Sequence, residues 1–450
     1  MRKLAMPMLA MAATLLLSSC GASTVTPLFN GEDFTGFEPL GGRAEFVVED
    51  GALVGISTKG EPNSFVATTE SYGDFILEFD MWNDTLLNSG VQIRSHSRSN
   101  GSKVYGYQCE IDPSDRAWSG GIYEEGGRGW LATLDGYEVG QKAYKREDWN
   151  HYRVEALGNN IRVWLNGVST ANLYDDRESE GFIAFQVHSA GGPKIGRKTM
   201  WKNITIDTVD VAKKRLKGGI APEINRIPNT LTESEIEAGW ELLFDGKSLD
   251  KWMSFNGSAV PAAWTVEDGA AYIQRGKKLP GGGIITKQEY SAFEFSVEFK
   301  LTPKANSGIK YFVKTKVDPQ SEKNVTYGLE YQLMDNERYA GREGMDKYKL
   351  AGLYDMIAPG AIRFSGVKIW NQAVIKVFPN GHVEHWLNGF KVIEFERGSD
   401  EFRELVAQSK YSAPSYNIDV PFGEDESGAI MLQDHNDLVY FRNIKIRELK

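Results

Sequence analysis

Alternating apolar and polar residues mark the chain along most of its length. In 293–301, Phe293, Phe295, Val297, Phe299 and Leu301 alternate with Glu294, Ser296, Glu298 and Lys300. That period of two belongs to a strand with one buried face. Ile161, Val163 and Leu165 alternate with Arg162 and Trp164 in the same way. Asn-Gly occurs six times and Asp-Gly four times, often between such runs; these pairs readily enter the positive-φ conformations of tight hairpins. Long helical periodicity is missing. The pattern predicts an all-β chain of antiparallel sandwiches.

The same pattern is written twice. "PLFNGEDFTGF" at 27–37 is answered by "LLFDGKSLDKW" at 242–252, and "VVEDGAL" at 47–53 by "TVEDGAA" at 265–271. "SYGDFILEF" returns as "EYSAFEFSVEF", and Asn88-Ser89-Gly90 returns as Asn306-Ser307-Gly308. Trp149-Asn150 matches Trp370-Asn371, and Leu165-Asn166-Gly167 matches Leu387-Asn388-Gly389. Gln186 and His188 match Gln433 and His435, and "KNITI" matches "RNIKI". Matches in one order, at offsets that rise from 215 at the first to 240 or more at the last two, mean a duplicated domain with insertions in the second copy. Residues 211–231, basic and then Gly/Pro-bearing, read as a linker. Thr232 and Glu235 form a capping box, with Leu231 and Ile236 placed as a hydrophobic staple and Gly239 as a stop, so a short helix is expected over 232–238. The expected organisation is 20–210, linker 211–231 and 232–450.

The first residues read as an address. Arg2 and Lys3 precede an apolar run over 4–17, which ends in Leu17-Ser18-Ser19-Cys20. This is a secretory signal, 1–19, too short to span a bilayer comfortably. Its ending resembles bacterial lipoprotein signals, in which Cys20 carries the lipid. Gly21 rather than Asp follows, so the inner-membrane retention signal is absent. The expectation is a lipid-anchored protein of the bacterial cell envelope, at the outer membrane, facing the periplasm or the surface. With Cys20 lipidated, Cys109 is left unpaired, a small apolar residue of a buried strand.

Composition narrows the classes. Glycine is 47 of 450 residues and aromatics are 12%, which suits short strands and surfaces that stack ligands. A net charge of −10 disfavours nucleic acid as a partner, since phosphate binding needs a basic surface. No His/Cys metal spacing, nucleophile elbow, phosphate loop or dinucleotide fingerprint occurs.

The motifs "LFDGKSLDKW", "NSGIKYFV", "GLEYQLMD", "LAGLYDM", "HVEHWLNG" and "GAIMLQDHNDLVYFRNIKI" resemble the 3-keto-disaccharide hydrolase domain family over 240–450. "YGYQCEIDPSDRAWSGGIYEEGGRGWL", "WNHYRVEALGNNIRVWLNG" and "GFIAFQVH" resemble a divergent branch of it in the first copy. The resemblance implies two tandem concanavalin A-like jelly-roll β-sandwich domains. It also implies sugars bound across a concave sheet and cleavage of glycosides already oxidised at C3. Asn436 stands where the family usually has Gly, and 336–349 lacks the family's His-Pro-Asp.

Strand alternation puts Gln108, Glu110 and Asp112 on one face, with Tyr107, Cys109 and Ile111 on the other. Its counterpart puts Glu330 and Gln332 together, with Asp335 just past the strand. Carboxylates and amides on one sheet face suit sugar hydroxyls, a general base or a Ca²⁺ ion. Gln186 shares a face with His188, as Gln433 does with His435 beside Asp434; imidazole carries protons near neutral pH. His382 and His385, just before a Leu-Asn-Gly turn, read as structural. Arg94 and His96 follow the first Asn-Ser-Gly and Lys310 the second; a cation there stabilises an enolate or sugar oxygen, or balances the carboxylates. Trp118, Tyr123, Glu124, Arg128 and Trp130 lie in a Gly-rich loop that suits a sugar ring or packs a turn.

A ketone at C3 acidifies the C2 hydrogen. A base then forms an enolate, which expels the C1 substituent, and water adds to complete net hydrolysis. The expected function is 3-keto-glycoside cleavage without a required cofactor, with carbohydrate binding without catalysis as the alternative. Glu330, His435, Lys310 and Asp434 are the catalytic candidates. Gln332, Asp335, Gln433 and the first-copy residues are the substrate-binding candidates.

Overall fold

The computed structural model describes residues 24–274 and 281–450, so Cys20 and its signal lie outside the described residues. The described residues form two compact units, divided between 226 and 227. Each is an antiparallel β-sandwich of the expected jelly-roll class.

In the first unit, one sheet runs in the order 223–225, 168–174, 160–165, 150–157, 75–83, 198–207, 52–56 and 45–49, with 26–27 paired to 198–207. Its partner runs 129–132, 122–125, 103–111, 89–98, 182–187, 64–68 and 37–41. In the second unit, one sheet runs 264–267, 270–273, 439–448, 293–301, 371–377, 382–387 and 390–396, with 241–242 paired to 439–448. The other runs 252–254, 284–286, 429–432, 306–317 and 324–334.

The alternation fixes which face is inside. Phe293, Phe295, Val297, Phe299 and Leu301 are all fully buried in one core cluster, each burial contributing roughly 1.5–3 kcal/mol. Ile161, Val163 and Leu165 are buried likewise in the first unit. Tyr311 on one sheet of the second unit meets His385 on the other, Oη to Nε2 at 2.9 Å. Burial pushes the His385 imidazole down to about 3, so it is a neutral core residue. The repeated hairpins close as their turn pairs predict: Asn166-Gly167 has φ 50° and 81°, and Asn388-Gly389 has 50° and 81°, both positive as a type I′ turn requires.

The region expected as a linker is not one. Residues 211–226 belong to the first unit, where Glu223–Asn225 pairs parallel with Val168–Tyr174. Arg215, one of the basic residues that read as a tether, helps neutralise a buried carboxylate. Glu155 is fully buried and meets Arg153 at 2.9 Å and Arg215 at 3.3 Å, and Leu216 donates its backbone N–H to it at 2.9 Å. An unpaired carboxylate there would cost several kcal/mol, on the order of 3–5. Residues from 227 belong to the second unit, where Asn229 and Asn443 exchange backbone and side-chain hydrogen bonds at 2.8 and 2.7 Å. The capping box of Thr232 and Glu235 forms on a helix spanning Glu233–Glu237. Ile236, expected in a staple, is 60% exposed.

Candidate active site

Both copies present the same polar frame on the outward face of their smaller sheet. Ser89 Oγ donates to the Gln186 carbonyl at 2.7 Å, and Ser307 Oγ donates to the Gln433 carbonyl at 2.9 Å. The following glycine makes room. A Cβ on Gly308 would stand 2.6 Å from Gln433 Oε1 and 2.7 Å from Glu330 Oε1, and one on Gly90 would stand 2.3 Å from the Gln108 Cδ. Side chains from neighbouring strands therefore lie directly over each glycine.

In the second unit, Lys310 pairs in register with Glu330 and Gly308 with Gln332. Leu329, Tyr331 and Leu333, between and beside them, point into the core. Glu330 is 3% exposed, and Lys310 Nζ stands 3.7 Å from its Oε2. Gln332 donates to Asn306 Oδ1 at 3.1 Å, while its own buried Oε1 has no partner among the described residues. His435 Nε2 lies 2.9 Å from Gln433 Oε1. Desolvation draws the His435 imidazole below its ordinary pKa; Glu330 pulls it up and Lys310 pushes it down.

Two residues of this site went unseen in the sequence. Lys410 feels the charges of both Glu330 and Lys310, and desolvation lowers its pKa. Its Nζ lies 4.3 Å above the Tyr354 ring. Tyr354, whose backbone N–H donates to the Glu330 carbonyl at 3.0 Å, is pushed up to about 12 by desolvation and then by Glu330.

Two expected members of this site do other work. Asp434 accepts from the Gly282 N–H at 2.9 Å and the Asn436 N–H at 2.7 Å, so it holds a turn. Asp335 accepts from the Lys304 N–H at 2.7 Å and the Glu337 N–H at 3.2 Å, capping the next turn. Asn436, the family's glycine position, has φ 61°, a conformation that Asn tolerates, so the exchange keeps the turn.

In the first unit, Gln108, Glu110, Asp112, Tyr123, Gln186 and His188 line a cavity of about 500 Å³, together with Asn88 and Trp130. Tyr107, Cys109 and Ile111 face the core as alternation requires. Glu110 accepts from Asn88 Nδ2 at 2.6 Å and Gln108 Nε2 at 2.8 Å. Burial pushes its carboxyl up to about 7 against those two hydrogen bonds. Asp112 is held by Arg116 Nε at 2.8 Å.

Four first-copy candidates fail on geometry. Arg94 points away from the cavity: it donates to the Gly73 carbonyl at 2.8 Å, the Gly158 carbonyl at 2.6 Å and Asp74 at 3.0 Å, and is 1% exposed. Glu124 and Arg128 pair with each other at 2.6 Å, and Arg128 reaches buried Asp175 at 2.7 Å, a structural ion network. Trp118 stands behind Trp130, edge-on at 4.8 Å, and it is Trp130 that reaches the cavity.

Comparison with known proteins agrees with the duplication. The family model described as a 3-keto-alpha-glucoside-1,2-lyase-like domain matches residues 24–207 and again 239–447. The chain belongs to that family, in two copies, and is a carbohydrate-active protein. It is 30% identical over 229 residues to a 3-keto-disaccharide hydrolase of Bacteroides thetaiotaomicron, covering 47% of this chain and 79% of that one. Among solved structures it is similar to a putative glycosyl hydrolase from Parabacteroides distasonis, 31% identical over 50% of this chain and all of that one, with a TM-score of 0.43. A second from that organism is 26% identical over 47% of this chain and 99% of its own, with a TM-score of 0.34.

Proposed function

We propose that this chain cleaves glycosides oxidised at C3, and that the second unit does the chemistry. The observation that carries the reading is the 3.7 Å approach of Lys310 to buried Glu330, within electrostatic reach of His435 and Lys410. The reaction needs a base for the C2 hydrogen, positive charge for the enolate oxygen, an acid for the leaving oxygen and a base for the incoming water.

In this reading Glu330 removes the C2 proton and Lys310 faces the C3 oxygen as it gains charge. Breaking the C1–O bond forms the 1,2-unsaturated ketone, and Lys410, an ammonium with lowered pKa, protonates the departing oxygen. His435, kept neutral and donating from Nε2 to Gln433, accepts at Nδ1 the proton of the water that adds to C1; C2 regains a proton. Gln332 and Gln433 hold sugar hydroxyls. Two carboxylates flanking the glycosidic bond, as in ordinary glycoside hydrolysis, are not required. The relative named a 3-keto-disaccharide hydrolase supports the substrate class. The signal-like start supports a lipid anchor at Cys20 and a place in the bacterial envelope.

Incubating the full-length chain with a 3-keto-glucoside bearing a chromogenic leaving group tests this. Release by the parent is expected; saturable binding without release would instead establish a sugar-binding protein.

A further inference from the structure

The first unit keeps the frame of the second and loses its cations. Gln92 occupies the place of Lys310: it pairs in register with Gln108, as Lys310 does with Glu330. The chain segment that brings Lys410 lies in an insertion of the second copy, between matches at offsets of 222 and 247. Among the described residues, the Lys and Arg side chains lining the first cavity are exposed Lys194, and Arg116, which is already held by Asp112 and lies over the Trp118 and Trp130 rings.

The floor is instead a chain of amides that starts at Glu110. Gln108 turns its Nε2 to Glu110 Oε2, at 2.8 Å, and its Oε1 away. That Oε1 accepts from Gln92 Nε2 at 2.6 Å and from Gln186 Nε2 at 2.9 Å. Gln186 Oε1 is then left over. It is fully buried with no hydrogen-bond partner among the described residues, on a residue that lines the cavity. A buried acceptor without a donor is costly, and a sugar hydroxyl supplies the missing hydrogen. A ketone, which only accepts, would set oxygen against oxygen. Tyr123 and Trp130, edge-on at 5.4 Å, add aromatic surface to the same cavity. Such surface suits a pyranose ring.

We propose that the first-unit cavity is a second carbohydrate site, which binds an unoxidised pyranose ring through its hydroxyls and discriminates against the 3-keto form. The inference rests on the reading of the chain as one that acts on keto-glycosides. It assigns the two copies to different oxidation states of the sugar: the second cleaves the oxidised residue and the first holds an intact one. A site built to bond a hydroxyl rejects an analogue lacking it far better than an apolar pocket rejects a missing methylene.

Calorimetric titration of the full-length Glu330→Gln protein with methyl α-D-glucopyranoside and with its 3-keto derivative tests the proposal. The unoxidised sugar is expected to bind at least about tenfold more tightly at the first site. Gln186→Leu should abolish that preference, and Trp130→Ala should weaken binding of the unoxidised sugar about tenfold or more without altering the fold. The second variant serves if the first fails to fold. Keto-form binding that is as tight as that of the unoxidised sugar and is weakened by Trp130→Ala, sugar binding indifferent to both variants, or no binding of the unoxidised sugar would each overturn the proposal. Parent turnover of the chromogenic keto-glucoside is measured alongside: its absence with intact first-site binding would sink the cleavage reading and leave this one standing.

Discussion

Gln92 and Lys310 hold the same register position in the two units, each opposite the central polar residue of the neighbouring strand. One is neutral and bonded to Gln108 at 2.6 Å, the other cationic and 3.7 Å from Glu330. Lys310→Gln should therefore turn the second site into a likeness of the first. Loss of one positive group aimed at an enolate oxygen is expected to lower kcat about 10²- to 10³-fold. Steady-state kinetics on the chromogenic keto-glucoside would show it, with KM changed far less.

Gly308 is the space in which Glu330 and Gln433 meet. Gly308→Ala forces both side chains aside by fractions of an ångström to an ångström, enough to cost on the order of 100-fold in kcat/KM. The thermal midpoint should move little, because the obstructed atoms are the ends of side chains. Unchanged kinetics would show that Glu330 need not sit where the structure puts it.

His385 gives the second unit an acid limb of stability. Its folded pKa of about 3 lies below the ordinary 6.5. As pH falls from 6.5 towards 3 the unfolded chain takes up a proton that the folded chain refuses. Stability is therefore present in full above 6.5 and is lost with acid, by up to about 1.4 kcal/mol per pH unit. Denaturant unfolding of the parent and of His385→Leu between pH 7 and pH 4 reads this: the variant is less stable at pH 7, and its acid slope should be shallower.

Cys20→Ala should release the protein from the membrane fraction into the soluble periplasm of a bacterial host, since stable anchoring needs more than one acyl chain. Fractionation followed by immunodetection checks it. A variant that stays as tightly bound as the parent would remove the anchor.

Much of the site was legible because a strand's period is two. Glu330 and Gln332, or Gln108 and Glu110, share a face for no other reason. Position after the Asn-Ser-Gly turn misled at Arg94. Strict alternation puts it beside Gln92, but the register shifts between Ile93 and His96, and Arg94 takes φ 44°, so the bulge turns its side chain to the other side. Phe312 repeats the bulge at φ 53°. Tyr354 was within reach: "GGIYE" at 120–124 answers "AGLYD" at 351–355, and the repeat places Tyr123 and Tyr354 alike beside their sites. Lys410 was not, because its insertion has no counterpart and only tertiary folding brings it to Glu330. Glu124 and Arg128 misled because a loop rich in aromatics and charge looks alike whether its charges face a ligand or, as here, pair with Asp175.

The central claim is that cleavage begins with removal of the C2 hydrogen at the second-unit site. It is tested most directly with a chromogenic 3-keto-glucoside deuterated at C2, turned over in ordinary water, with the product examined by mass spectrometry against a protein-free control for spontaneous exchange. Aglycone release by the parent is expected to be accompanied by loss of the C2 deuterium to solvent, with release falling by at least about 10³-fold in Glu330→Gln. Aglycone release that leaves the deuterium on C2, or that survives undiminished in Glu330→Gln, would contradict the account.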